Sequence, residues 1–169
     1  MTVVSLPSAD DTRELGRRLA SVLRAGDLVI LDGPLGAGKT VLVQGIGAGL
    51  GVRGEVTSPT FVIARVHRPA PGGRGLPLVH VDAYRLNSLA EVDDLDLDTG
   101  LEEAVTVVEW GEGKVERLAE AYLLVRLHRP GGNAAPAAPE ADETRVAELS
   151  GVGGDWAQRL ATLGSPVAG

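Results

Sequence analysis

The segment LDGPLGAGKTV, Leu31 to Val41, constrains this chain more than any other. Gly33, Gly38, Lys39 and Thr40 satisfy G-x-x-x-x-G-K-[ST]. Glycines at both ends let the backbone curl until its N–H groups converge, which suits a bound phosphate. Lys39 brings a point charge to the β- and γ-phosphates, the Thr40 hydroxyl can ligate Mg2+, and the dipole of a following helix favours the same anion. This mechanism needs a buried strand before the loop and a helix after it. DLVILDG is a continuous apolar run, as in a strand covered on both faces. KTVLVQGIGAGLG reads as a helix, weakened by three interior glycines. The bland alternative is a glycine-rich strand-to-helix turn with no ligand. Against it, Lys39 is one of only two lysines beside 14 arginines, and it falls inside the motif.

The rest of the chain supplies the architecture. TVVSL reads as a short strand. A helix follows from Ser8, a plausible N-cap with Asp11 three residues on, as in a capping box. Leu15, Leu19, Val22 and Leu23 share one face of it, and Gly26 ends it. TFVIARVHRP, LPLVHVD, AVTVVEW and YLLVRLH read as further strands. APGGRGLP is a turn, SLAEVDDLDLDTGLEEA an acidic helical stretch, and GKVERLAEA a short helix. Residues from about 130 to 143, rich in Pro, Gly and Ala, read as a flexible loop. TRVAELSG then returns as an edge strand, and DWAQRLATL as a last helix capped by Asp155, with Trp156 as a core anchor. Buried strands interleaved with helices indicate α/β architecture with a mainly parallel sheet. A chain of 169 residues suits a single domain over 1–169.

Charge and composition remove several functions. A net charge of −7 disfavours a protein that coats DNA or RNA. No apolar run approaches the roughly 20 residues of a membrane span. The N-terminus carries no basic and apolar secretory pattern. Cysteine is absent, which excludes disulfides and thiolate chemistry. A cytoplasmic location without membrane contact is the expectation.

A phosphate-loop site needs a carboxylate for magnesium and a group that orients the attacking nucleophile. Such acids belong at the carboxyl ends of neighbouring strands, where the crevice lies. LVHVD ends in Asp82 and VTVVE in Glu109, each directly after an aliphatic run. The hydroxyls of Thr57, Ser58 and Thr60 in TSPTF could reach a γ-phosphate or its metal as a switch segment does. On spacing alone the segment fits an ordinary turn equally well. His67, His80 and His128 are too scattered for a metal cluster. His80 reads as support for Asp82 or Tyr84, and Tyr84 and Arg85 as local packing.

GPLGAGKT, TSPTF, HVDAYR and VEW, in this order and at about this spacing, resemble the TsaE family, formerly YjeE. These are bacterial P-loop ATPases of tRNA threonylcarbamoyladenosine (t6A) biosynthesis. The resemblance spans roughly Thr12 to Arg126. It implies a three-layer P-loop NTPase-like fold with a mainly parallel central sheet and antiparallel edge strands. It implies that Gly33, Leu35, Gly36, Ala37, Gly38, Lys39, Thr40 and Val41 bind ATP, with Thr12 near the base. Thr40 and Glu109 would hold Mg2+. Asp82 would orient the attacking water, with Lys39 as its catalytic partner at the phosphates. Trp110 would lie beside the nucleotide or a partner. The implied activity is a Mg-dependent ATPase, weak alone, that resets the TsaB–TsaD transferase pair between turnovers and meets tRNA only indirectly. Two departures stand out. Val41 replaces a common second Thr or Ser, and the loop after Arg129 is longer than the family pattern.

Other assignments remain open at this point. A GTPase would need an Asn-Lys-x-Asp segment, which neither lysine provides. A small-molecule kinase would use the same Lys39, Thr40 and strand-end acids. It would also need an arginine-rich lid, for which Arg65, Arg68, Arg74 and Arg85 are the only material. A nucleotide-dependent adaptor, in which hydrolysis is incidental, is the third. The segment Glu91 to Glu103 holds seven acids and no base. It reads as a solvated helical face or as a docking surface for basic residues of TsaB or TsaD.

Overall fold

A computed structural model of the protein describes residues 2–33, 38–52, 64–73, 75–82, 103–109, 121–128 and 144–163. Leu35, Gly36, Ala37, Thr57, Ser58, Thr60, Tyr84, Arg85 and Trp110 lie outside these residues. So do the loop at 130–143, all but Glu103 of the acidic segment, and all but the last residue of the helix predicted over 113–121.

Among the described residues, seven strands form one sheet: β1 (Thr2–Leu6), β2 (Leu28–Asp32), β3 (Ala64–His67), β4 (Leu78–Asp82), β5 (Val105–Glu109), β6 (Tyr122–His128) and β7 (Arg145–Val152). The helices are α1 (Ala9–Ala20), α2 (Lys39–Leu50) and α3 (Trp156–Thr162). The strand order is β1-β7-β6-β2-β5-β4-β3. The central four, β6-β2-β5-β4, run parallel. At the edges β3 joins β4, β7 joins β6 and β1 joins β7, all antiparallel. This is the α/β sheet with a parallel centre and antiparallel edges that the sequence led us to expect, except that β7, read as an edge strand, lies one strand in because β1 pairs along its outer side. Burial explains the pattern. All five residues of β5 are buried, as in a parallel strand covered on both faces, whereas β6 alternates buried and half-buried positions.

One face of the sheet packs on the helices. Val29 and Leu31, Val105 and Val107, Leu78, and Leu123, Val125 and Leu127 form a single core with residues of α1 and α2 and with Trp156 and Leu160. Side chains alternate between faces with period two. At the carboxyl ends of the strands, the same face therefore continues from Val107 to Glu109 and from Leu78 to His80. The core turns polar at that end of the sheet.

Three local expectations need correction. The three glycines read as weakening α2 include two that make its contact with α1. A Cβ on Gly45 would stand 2.0 Å from the Arg13 carbonyl oxygen, and one on Gly49 2.9 Å from that of Arg17. From the other helix, a Cβ on Gly16 would stand 2.4 Å from the Leu42 carbonyl oxygen. The two backbones touch, and only glycine fits between them. Secondly, α1 begins as predicted, with the Ser8 capping box formed, but it ends at Ala20 rather than near Gly26. Beyond Ala20 the amides of Ser21, Val22 and Leu23 bond to the carbonyls three residues back, at 3.1, 3.0 and 3.3 Å. This tighter winding rarely continues for long. Leu23 is still fully buried, so its place in the core survives the change of winding. Thirdly, Asp155 stands at the N-cap of α3 but its side chain makes no cap hydrogen bond. Its carboxylate is held by Arg24 and Arg159 instead, at 2.9 and 2.8 Å. Trp156 is a core residue, as expected.

Candidate nucleotide-binding site

The glycine-rich motif from Gly33 to Thr40 joins β2, in the middle of the sheet, to α2. Gly33 follows the last residue of β2, and Gly38 is the N-cap of α2. Gly38 has φ +99°, a left-handed conformation that a side chain would strain. It offers no side-chain cap, and no acidic residue lies in the first turn of α2. The first amides of a helix have no acceptor within it. Here Lys39, Thr40 and Val41 supply them, so this end of α2 suits an anion.

Lys39 is 7% exposed, and its Nζ donates to the Gly33 carbonyl oxygen at 2.8 Å. The side chain thus arches back across the loop from its last turn to its first. Its charge is held at the loop rather than in solvent. Thr40, half-buried, is the second residue of α2.

Register places the two acids. Glu109 of β5 pairs with Leu31 of β2 on one side and with Asp82 of β4 on the other. Neighbouring strands lie about 4.8 Å apart. Glu109 is thus one strand from the root of the loop, and the backbone of Asp82 is two. All three stand at carboxyl ends of parallel strands, where open α/β sheets bind ligands. Glu109 is buried, at 6% exposure, and the Nε2 of fully buried His80 lies 3.6 Å from its Oε2. The sequence reading linked His80 to Asp82 or Tyr84. The contact with Glu109 comes from the parallel register, which a single strand does not reveal.

Thr12 is buried on α1, and its hydroxyl donates to the Ser8 carbonyl oxygen at 3.4 Å. A Cβ added to Gly38 would lie 3.7 Å from its methyl group. The glycine contact between α1 and α2 therefore brings Thr12 to the edge of the loop. Val41 is half-buried in the first turn of α2. Asp32, beside Gly33, pairs in register with Arg126 on β6, and its Oδ2 lies 3.7 Å from the arginine Nε.

The described residues contain no cluster of three or more His, Cys, Asp or Glu able to hold a metal alone. Magnesium does not require one. It accepts hard oxygen donors and is commonly held by one or two carboxylates together with substrate phosphates and water. The Thr40 hydroxyl and the buried Glu109 carboxylate are donors of that kind. No helix among the described residues is long and apolar enough to cross a membrane.

Known proteins resemble this chain in sequence and in structure. The crystal structure of Bacillus subtilis YdiB superposes with a TM-score of 0.72 at 26% identity, covering 96% of this chain and 93% of that one. The tRNA threonylcarbamoyladenosine biosynthesis protein TsaE of Streptomyces coelicolor is 61% identical over 146 residues, 86% of this chain and 93% of its own. The protein of that name from Mycobacterium bovis is 58% identical over 131 residues, 74% of this chain and 77% of its own. The sequence profile of the family described as threonylcarbamoyl adenosine biosynthesis protein TsaE matches residues 6–135. With a G-x-x-x-x-G-K-T loop after β2, acids at the ends of β4 and β5 and these relatives, the chain belongs to the TsaE family.

Proposed function

We propose that this protein is a Mg-dependent ATPase of tRNA threonylcarbamoyladenosine biosynthesis. Family membership supports the pathway. The observation that carries the nucleotide reading is the buried Lys39 ammonium, bonded back to Gly33 at the uncapped start of α2, one strand from buried Glu109. A buried ammonium beside the uncapped amides of a helix N-terminus is matched to an anion.

The residues divide the work as follows. Amides from Gly33 to Val41 receive the phosphates, and Lys39 neutralises charge on the β- and γ-groups. Thr40 and Glu109 hold Mg2+, which when bound supplies charge neutralisation at the phosphates. Asp82 orients the attacking water and accepts its proton. Thr12 borders the base. Neither lysine lies in a guanine-reading segment, so ATP is the preferred nucleotide.

Hydrolysis serves the TsaB–TsaD pair, which it returns to a competent state after each transfer. The protein hydrolyses ATP slowly alone because its partners complete the site. Its net charge of −7 fits a protein that acts on other proteins and meets tRNA only through them. The protein acts in the cytoplasm.

The test is reconstituted tRNA threonylcarbamoylation under multiple-turnover conditions, with and without this chain. Product should stop near one turnover of TsaB–TsaD without it, and continue with it. Equal product in both arms would refute the assignment. Full activity of Asp82→Asn in the same assay would show that nucleotide binding alone suffices, as in an adaptor.

A further inference from the structure

His80 is fully buried in the middle of β4, in the run Leu-Val-His-Val-Asp. In register it faces Val107 on one side and Arg65 on the other. Neither of its ring nitrogens has a hydrogen-bond partner among the described residues. A buried polar group without a partner lowers stability, and an aliphatic residue would suit the core better. Packing alone therefore does not explain an imidazole at this position. Among the described side chains, the Glu109 carboxylate is the charged group it meets, with Nε2 at 3.6 Å from Oε2. That distance is within ion-pair reach and beyond hydrogen-bond range, so a small adjustment of the glutamate would complete the bond.

We propose that His80 is a positioning residue for Glu109: its Nε2–H faces Oε2, fixes the carboxylate plane and leaves the other oxygen for the nucleotide-bound magnesium. The inference rests on the assignment of Glu109 to the metal. Glu109 ends its strand, and a glutamate has three torsions to settle before one oxygen points to a ligand. Magnesium demands near-ideal octahedral geometry at about 2.0–2.1 Å and tolerates a wandering donor poorly. A donor behind a ligating group commonly supplies such orientation, and its loss typically lowers metal affinity about 10- to 100-fold. The sheet provides the geometry. His80 and Glu109 occupy the same face of adjacent parallel strands, and β4 presents its imidazole two residues before its own terminal acid.

The test uses ADP titrations of the full chain with Mg2+ and with chelator. His80→Met removes the donor at similar length, and His80→Gln restores an N–H close to the position of Nε2. His80→Met should weaken Mg-dependent binding about 10-fold or more and leave metal-free binding unchanged, while His80→Gln recovers most of the loss. Equal losses with and without metal, or equal losses in both variants, would overturn the proposal. Glu109→Gln separates the two levels. If it keeps full metal dependence, the metal assignment itself fails. If it loses that dependence while His80→Met retains it, only the positioning role fails. Should His80→Met not fold, the imidazole Nε2–H resonance of the wild type decides. It should shift when Mg2+ is added to the ADP-bound protein, and an unmoved resonance would overturn the proposal.

Discussion

Arg159 and Lys39 are both cations held largely out of water, at opposite ends of one sheet, and the fold treats them differently. Arg159, on α3, meets the Asp27 carboxylate at 2.6 Å, that of Asp155 at 2.8 Å and the Val22 carbonyl oxygen at 3.3 Å, and its guanidinium lies 4.4 Å from the centre of the Trp156 ring. Asp27 directly precedes β2, so this cluster braces α3 against the amino end of the sheet. Its charges neutralise one another inside the protein. A cavity of about 340 Å³ opens there, lined by Arg24, Asp155 and Arg159 among others, but these residues already pair together. At the carboxyl end, Lys39 donates to the Gly33 carbonyl oxygen, Glu109 has His80 as a neighbour, and His80 makes no hydrogen bond among the described residues. Buried charge matched within the fold supports structure. On the function proposed above, the buried charge at the strand-end crevice and helix N-terminus is arranged for a phosphate.

Each prediction tries to break this contrast. Asp82→Asn should lower ATP turnover about 100-fold or more, the usual range for losing a positioned base, with ADP affinity within about twofold. Steady-state hydrolysis in the presence of TsaB–TsaD, alongside calorimetric titration, checks it, and normal hydrolysis would remove Asp82 from the mechanism. Arg159→Ala should do the reverse. It leaves the Asp27 carboxylate without its buried partner, which costs about 3 kcal/mol in a urea melt while ADP affinity of the folded protein is unchanged. A large affinity loss would show that the two ends are coupled.

The glycine contact sharpens the boundary between them. Gly45→Ala gains about 1 kcal/mol of helix propensity. The added methyl meets the Arg13 backbone, and overpacking of this kind costs about 1–3 kcal/mol. The net effect should be a loss of stability, together with a measurable change in nucleotide affinity, because α1 carries Thr12 to the loop. A more stable Gly45→Ala protein would contradict the contact.

The smallest effect belongs to Asp155. Burial alone would raise its carboxyl, but the hydrogen bonds and charges of Arg24 and Arg159 outweigh that and hold it below the ordinary value of 3.8. A depressed carboxyl stabilises the fold above its unfolded pKa and loses that contribution as pH falls through the folded one. Asp155→Asn should therefore lower the melting temperature slightly at neutral pH, and the gap to wild type should close below about pH 3.8. A gap that does not narrow as the pH falls below 3.8 would mean that geometry rather than charge holds Asp155.

Much of this was legible in the sequence because local patterns carried it. Gly33, Gly38 and Lys39 announce the loop, and the aliphatic runs ending in Asp82 and Glu109 announce strand-end acids. What escaped depends on distant partners. The glycines of α2 look like defects until Arg13 and Arg17 of α1 lie against them. Asp155 looks like a cap until Arg159 and Arg24 claim its carboxylate. His80 approaches Glu109 because β4 and β5 run parallel in a register that places Asp82 beside Glu109. Residues 21–23 keep the helical apolar face in sequence but wind more tightly in the structure. Periodicity reports which residues are buried more faithfully than how the backbone carries them.

The central claim is that the carboxyl end of the sheet, and not the amino end, holds nucleotide. Calorimetric titration of Mg·ADP into Lys39→Ala tests it most directly, with a thermal melt to establish folding. Wild type should bind at one site, and Lys39→Ala should melt as a folded protein and show no saturable binding. A folded Lys39→Ala that binds Mg·ADP as wild type does would contradict the account.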